Sequence, residues 1–146
     1  KLKLIKKIKV PGGEMPQHVS FSLDGSKIAV GYGYGDAINL DVLTSDDFDK
    51  LYSADTKDFF GCNFGSVSFP SDGLFLYARG SCVKPLILRC WNNAGKGAYI
   101  DIPLIDNTIF QLLPVKNGGV LFCSTEPSFG ILDSKERLTF YKKMRL

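Results

Sequence analysis

Phe21-Ser22-Leu23-Asp24-Gly25 recurs 48 residues later as Phe69-Pro70-Ser71-Asp72-Gly73. A looser third copy, Leu113-Pro114-Val115-Lys116-Asn117-Gly118, follows at an offset of 45 residues from Gly73 to Gly118. Asp bonds its own backbone and tolerates positive φ, and Gly adopts positive φ without strain, so each Asp-Gly is expected to be a tight turn between two strands. The flanks repeat in the same order. Before the turns stand Val19 and Phe21, then Val67 and Phe69, then Leu112 and Leu113. After them come Ile28 to Val30, Leu74 to Ala78, and Val120 to Cys123. A third strand follows at Ile38 to Val42, Leu86 to Trp91 and Gly130 to Leu132, and a fourth is clearest at Tyr99 to Ile105 and Leu138 to Leu146. The alternation in Ile38-Asn39-Leu40-Asp41-Val42 has the period of a half-buried strand.

Four short strands every 45 to 48 residues resemble the WD-repeat β-propeller family, whose repeat is roughly 40–45 residues with four strands per blade. The two Phe-x-x-Asp-Gly stretches look like that family's turn between its first two strands. The family's Trp-Asp pair closes the third strand, and its places here hold Leu40-Asp41, Trp91-Asn92 and Leu132-Asp133, so no copy carries both members. His18 comes immediately before the first strand, too late for the family's Gly-His pair. The fold expected is all-β: a partial propeller of about three four-stranded antiparallel blades. The expected segments are residues 15–58, 62–106 and 108–146, with residues 1–10 as one extra N-terminal outer strand belonging to a preceding blade.

That extra strand is read from a match between the two ends. Leu2-Lys3-Leu4-Ile5-Lys6-Lys7-Ile8-Lys9-Val10 resembles Leu138-Thr139-Phe140-Tyr141-Lys142-Lys143-Met144-Arg145-Leu146, including the Lys-Lys pair. A basic amphipathic helix is the rival reading of residues 2–10. The β-branched and aromatic content of the two copies favours strands. Three blades are too few for a closed ring, since propellers have roughly four to eight. The chain is therefore expected to belong to a longer propeller with further covalent blades, or to self-assemble, two chains of three blades making six. Open blade faces would otherwise expose large apolar patches.

Composition agrees with a globular protein: 146 residues, 45% hydrophobic and 23% charged. No apolar run is long enough to cross a bilayer, so no membrane partner is expected. The balance of 18 basic and 15 acidic residues is too even to point to nucleic acid. The lysines crowd the two ends, as edge-strand lysines do. Cys62, Cys82, Cys90 and Cys123 form no C-x-x-C pair, which suggests reduced thiols and an intracellular, cytoplasmic location.

Little chemistry is written in the chain. His18 is the single histidine, so any nucleophilic triad must run through it, and its neighbours Gln17 and Val19 name no partner. Gly31-Tyr32-Gly33-Tyr34-Gly35 lacks the third glycine of a dinucleotide-binding loop, because Asp36 stands there. Asp46, Asp47 and Asp49 do not have calcium-loop spacing. No cofactor, metal or enzymatic activity is expected. The resemblance implies a protein-interaction scaffold that binds other proteins. By the family's geometry, Gln17, His18, Tyr32, Tyr34, Asn63, Phe64, Arg79, Lys84, Glu126 and Phe129 would lie on or near one contact face. The alternatives are a propeller-fold enzyme with a central-channel site, and a module binding acidic or phosphorylated partners through the lysine-rich outer strands at the two ends, Lys6 and Lys7 among their residues.

Overall fold

A computed structural model describes residues 2–12, 15–33, 39–59, 63–79, 86–104, 108–125 and 128–143. Blade one comprises Pro16–Phe21 (β1), Lys27–Tyr32 (β2), Leu40–Thr44 (β3) and Lys50–Ser53 (β4). Blade two comprises Ser66–Ser68 (β5), Phe75–Arg79 (β6), Ile87–Asn92 (β7) and Tyr99–Pro103 (β8). Blade three comprises Ile109–Pro114 (β9), Val120–Ser124 (β10), Ser128–Leu132 (β11) and Leu138–Lys143 (β12). In each sheet the strands pair antiparallel in chain order. One 3-10 turn, Asn93–Gly95, is the sole helical element among the described residues, and none of their helices is long and apolar enough to cross a membrane. The fold is all-β and propeller-like.

The repeated turn is responsible for the repeated hairpin. Gly25 and Gly73 have φ of 70° and 67°, the left-handed conformation that Gly adopts without penalty. Asp24 Oδ1 accepts from Ser26 N at 3.0 Å, and Asp72 Oδ1 accepts from Leu74 N at 3.0 Å, the same side-chain turn in both copies. The hydroxyl of Ser22, then Ser26, hold the Asp24 carboxyl well below the usual carboxylate range. In the third copy Asn117 and Gly118 both take positive φ, at 74° and 86°.

The core lies between the sheets. Ala29, Leu40 and Val42 of blade one meet Val67, Phe69, Leu76, Ala78 and Trp91 of blade two. The other face of blade two, with Tyr77, Leu88 and Cys90, meets Leu112, Val120, Phe122 and Leu132 of blade three. The first strands β1, β5 and β9 lie side by side, tied by side chains rather than a backbone ladder. Val67 N donates to His18 Nδ1 (3.3 Å), Phe69 N to Ser20 Oγ (3.3 Å) and Leu112 N to Ser66 Oγ (2.8 Å).

Three sequence expectations need correction. Residues 2–10 form no strand: a strand requires a neighbouring edge, and no described part of the chain offers one there. Lys6 Nζ instead donates to the Asp47 carbonyl at 3.2 Å, and Val10 packs on Ile28, Val30, Tyr32 and Leu43, the outer face of blade one. Phe21 and Phe69 precede the same turn on the apolar side of the alternation, which predicts both between adjacent blades. Phe69 is 2% exposed, whereas Phe21 is 60% exposed because no sheet lies before blade one in the described chain. Finally, Leu43, not Leu40, matches Trp91 in register, since Leu43 pairs with Ile28 as Trp91 pairs with Leu76.

The Phe pair gives a direct test of the blade order. Phe69→Ala is expected to cost about 3–5 kcal/mol, as for a fully buried Phe. Phe21→Ala is expected to cost under about 1 kcal/mol, as for a surface position. Urea unfolding of the two variants measures both, and equal losses would contradict the order of the sheets.

Candidate functional site

The start of β1 lies beside the end of β2, and the start of β5 beside the end of β6, at one end of the blades. Pairing passes from Pro16 opposite Tyr32 directly to His18 opposite Gly31, so Gln17 is a bulge residue whose side chain is re-aimed. Asn63 precedes β5, and Arg79 ends β6 opposite Ser66. Gly65 lies where these three side chains meet. A Cβ placed there would stand 2.9 Å from Arg79 Nη1, 3.3 Å from Asn63 Oδ1 and 3.3 Å from Gln17 Oε1. Any side chain at position 65 would therefore push the three polar groups apart.

The cluster is sheltered at its base and open at its rim. Arg79 is 8% exposed and Gln17 is exposed. Asn63 Oδ1 is buried and meets no hydrogen-bond donor among the described residues. An amide pair beside a guanidinium offers both donors and acceptors, the complement of a peptide backbone or a polar side chain. His18 is adjacent but otherwise engaged. Its Nδ1 accepts from Val67 N, and burial pushes its pKa down, which keeps the accepting nitrogen unprotonated. It serves as a brace between blades one and two.

Of the residues expected on the contact face, Gln17, Asn63 and Arg79 come together. Tyr32 and Phe64 do not belong to it. Tyr32 is 1% exposed because β2 runs through it and its hydroxyl accepts from Gly12 N at 3.3 Å. Burial, with the Asp41 carboxylate, pushes its phenol up to about 12. Phe64 is fully buried, stacked on Phe59 with centroids 5.0 Å apart and edge-on to Trp91 at 6.1 Å. Phe129 lies elsewhere, on the outer face of blade three, 5.4 Å from the Phe140 ring. Tyr34, Lys84 and Glu126 lie outside the described residues, as do Cys62 and Cys82. Cys90 and Cys123 are free thiols, and burial pushes Cys90 up to about 12.

Sequence reasoning missed Gly65, whose neighbours in sequence give no sign of the convergence. It also missed a cavity at the opposite end, where the three Asp/Asn-Gly turns converge. This cavity of about 400 Å³ is lined by Phe21, Leu23, Phe69, Pro114, Val115 and Lys116, among others. Among the described residues, no three His, Cys, Asp or Glu side chains gather as a metal would require.

No known protein family matches the chain, and no curated protein sequence does either. Solved structures do. Hydrazine synthase of Kuenenia stuttgartiensis superposes with a TM-score of 0.70 at 14% identity, over 95% of this chain and 38% of that one. The Cps50 (Swd1) β-propeller domain of Myceliophteria thermophila superposes with a TM-score of 0.51 at 10% identity, over 98% of this chain and 58% of that one. The chain thus spans less than two thirds of the length of either. At these identities the likeness concerns the fold alone.

Proposed function

We propose that this chain is a protein–protein interaction scaffold of WD-repeat type, an arc of a larger propeller or assembly, which presents the Gln17–Asn63–Arg79 rim to another protein. One observation carries the reading: three polar side chains from two different blades converge over Gly65 on a rigid sheet framework. Rigid elements that fix adaptable polar groups suit recognition. A binding role rather than catalysis is supported by His18, the single histidine, which is committed as a hydrogen-bond acceptor between blades. The free thiols of Cys90 and Cys123 go with the intracellular, cytoplasmic setting proposed for it.

The test is quantitative capture from a cell extract by the immobilised chain, read by mass spectrometry. Gln17→Ala with Asn63→Ala is expected to weaken capture of a specific set of proteins by about tenfold, a loss of the size of one interface hot spot. Lys116→Ala, at the opposite end, is expected to leave that set unchanged. Thermal melts of both variants should stay close to the parent. A protein set held equally by both variants would overturn the rim as the contact site.

A further inference from the structure

The two interfaces between blades are built to one plan. The face of blade two that meets blade one carries Phe69, Leu76, Ala78 and Trp91. The positions of blade one that lie 48 residues earlier, in the same pairing register, are Phe21, Ile28, Val30 and Leu43. They form the outer face of blade one, where Phe21 is 60% exposed while Ile28, Val30 and Leu43 are buried beneath Val10 and Phe48. The opposite face of blade two carries Tyr77 and Cys90, and blade three covers it. The residues of blade three at those register positions are Leu121 and Ile131, which pair with each other across β10 and β11. Phe140 and Leu113 extend the surface on either side. Both are 43% exposed, and no described part of the chain lies over them.

We propose that this face of blade three receives the outer face of blade one from a second copy of the chain. The reading rests on the propeller-arc assignment above. The chain carries both halves of one repeating interface, at opposite ends, so the contact continues one already made twice within it. In a single chain Phe21 on the one half, and Leu113 and Phe140 on the other, stay substantially exposed, apolar surface that soluble proteins limit. A head-to-tail contact between two arcs closes by two-fold rotation into a ring, with a blade count inside the usual range of roughly four to eight. The segment over blade one is compatible with this. Val10 packs on that face as Phe59, from the connection between β4 and β5, packs in the core between blades one and two. Such a connecting layer is already part of the first blade interface.

The experiment is light scattering on the full chain, over a wide concentration range, with two charge variants. The wild type is expected to reach twice the 16.1 kDa of one chain. Leu113→Glu on blade three and Phe21→Glu on blade one are each expected to give single-copy mass. Both sites are substantially exposed in one chain, so circular dichroism melts should confirm that each variant folds; Phe140→Glu serves as a second blade-three variant. Mixing Leu113→Glu with Phe21→Glu leaves one intact head-to-tail contact per pair and is expected to restore the two-copy mass. The double variant is expected not to recover it. Single-copy mass for the wild type at every concentration overturns the proposal. So does a two-copy mass that survives Phe21→Glu but not Leu113→Glu, which would mean blade three packs on its own counterpart. The Gln17→Ala, Asn63→Ala variant is expected to keep the two-copy mass, so failure here and failure of the rim reading give different results.

Discussion

Asp101→Ala is expected to destabilise the protein by about 3–5 kcal/mol, the cost of stranding a charge inside a protein. The charge is that of Arg89, whose side chain is 1% exposed in the seam between blades one and two. Its Nε and Nη2 donate to the two Asp101 carboxylate oxygens at 2.7 and 2.8 Å, and its Nη1 donates to the Lys57 carbonyl at 2.7 Å. The guanidinium lies over the Tyr99 ring at 3.6 Å and the Phe59 ring at 4.4 Å. Without the carboxylate, one carbonyl and two aromatic faces remain to offset its lost hydration. For a chain of this length the change corresponds to about 10–15 °C in Tm. Arg89→Met is expected to cost less, because it removes the charge while keeping most of the volume, and Asp101, partly exposed, stays hydrated. Urea unfolding of both variants checks the order. A milder Asp101→Ala than Arg89→Met would mean that water reaches the guanidinium.

Trp91→Ala is the second large effect, expected at about 3–5 kcal/mol. Trp91 is fully buried against blade one, its Nε1 donates to the Asp55 carbonyl at 2.8 Å, and Phe64 meets it edge-on. The loss combines the cavity with the unmade hydrogen bond. Trp91→Phe keeps much of the ring and is expected to lose roughly half as much, with the hydrogen bond itself contributing about 1 kcal/mol. Since Trp91 is the single tryptophan, its fluorescence in the wild type reports this seam alone. Its emission is expected to shift to the red in one transition with the far-ultraviolet dichroism. Two separated transitions would show that blade one leaves before the rest unfolds.

What was legible in the sequence was local. The Asp-Gly turns were readable because their cause is contained in a few residues: a carboxylate that reaches the amide two positions on, and a Gly at positive φ. Alternation around them gave the strands, and repetition gave the sheets. What escaped was set by neighbours distant in sequence. Phe21 and Phe69 share a motif, but only one has a sheet on both sides. Tyr32 was placed on the contact face because Gly12, which meets its hydroxyl, is 20 residues away. Nothing in the sequence around Arg89 marks it as buried, since Asp101 becomes its partner only once β7 and β8 pair in register. Of the site, Gln17, Asn63 and Arg79 could be placed at one end from topology. Their convergence depended on the missing side chain at position 65.

The ties between β1, β5 and β9 carry a consequence for how such a molecule grows. Hydroxyls and an imidazole link the inner strands, so no backbone ladder runs from one sheet into the next. Each sheet completes its backbone ladder within four strands, and only single amides reach the sheet before it: Val67, Phe69 and Leu112 on side chains, and Phe64 on the Tyr32 carbonyl at 2.9 Å. A unit can then be gained or lost by duplication or deletion of one stretch of chain without orphaning a row of amides. In the ring proposed above, the wedge angle of the apolar seams, where Trp91 and Phe122 sit, would govern the number of sheets, so substitutions in side-chain volume there would be the means of changing that count.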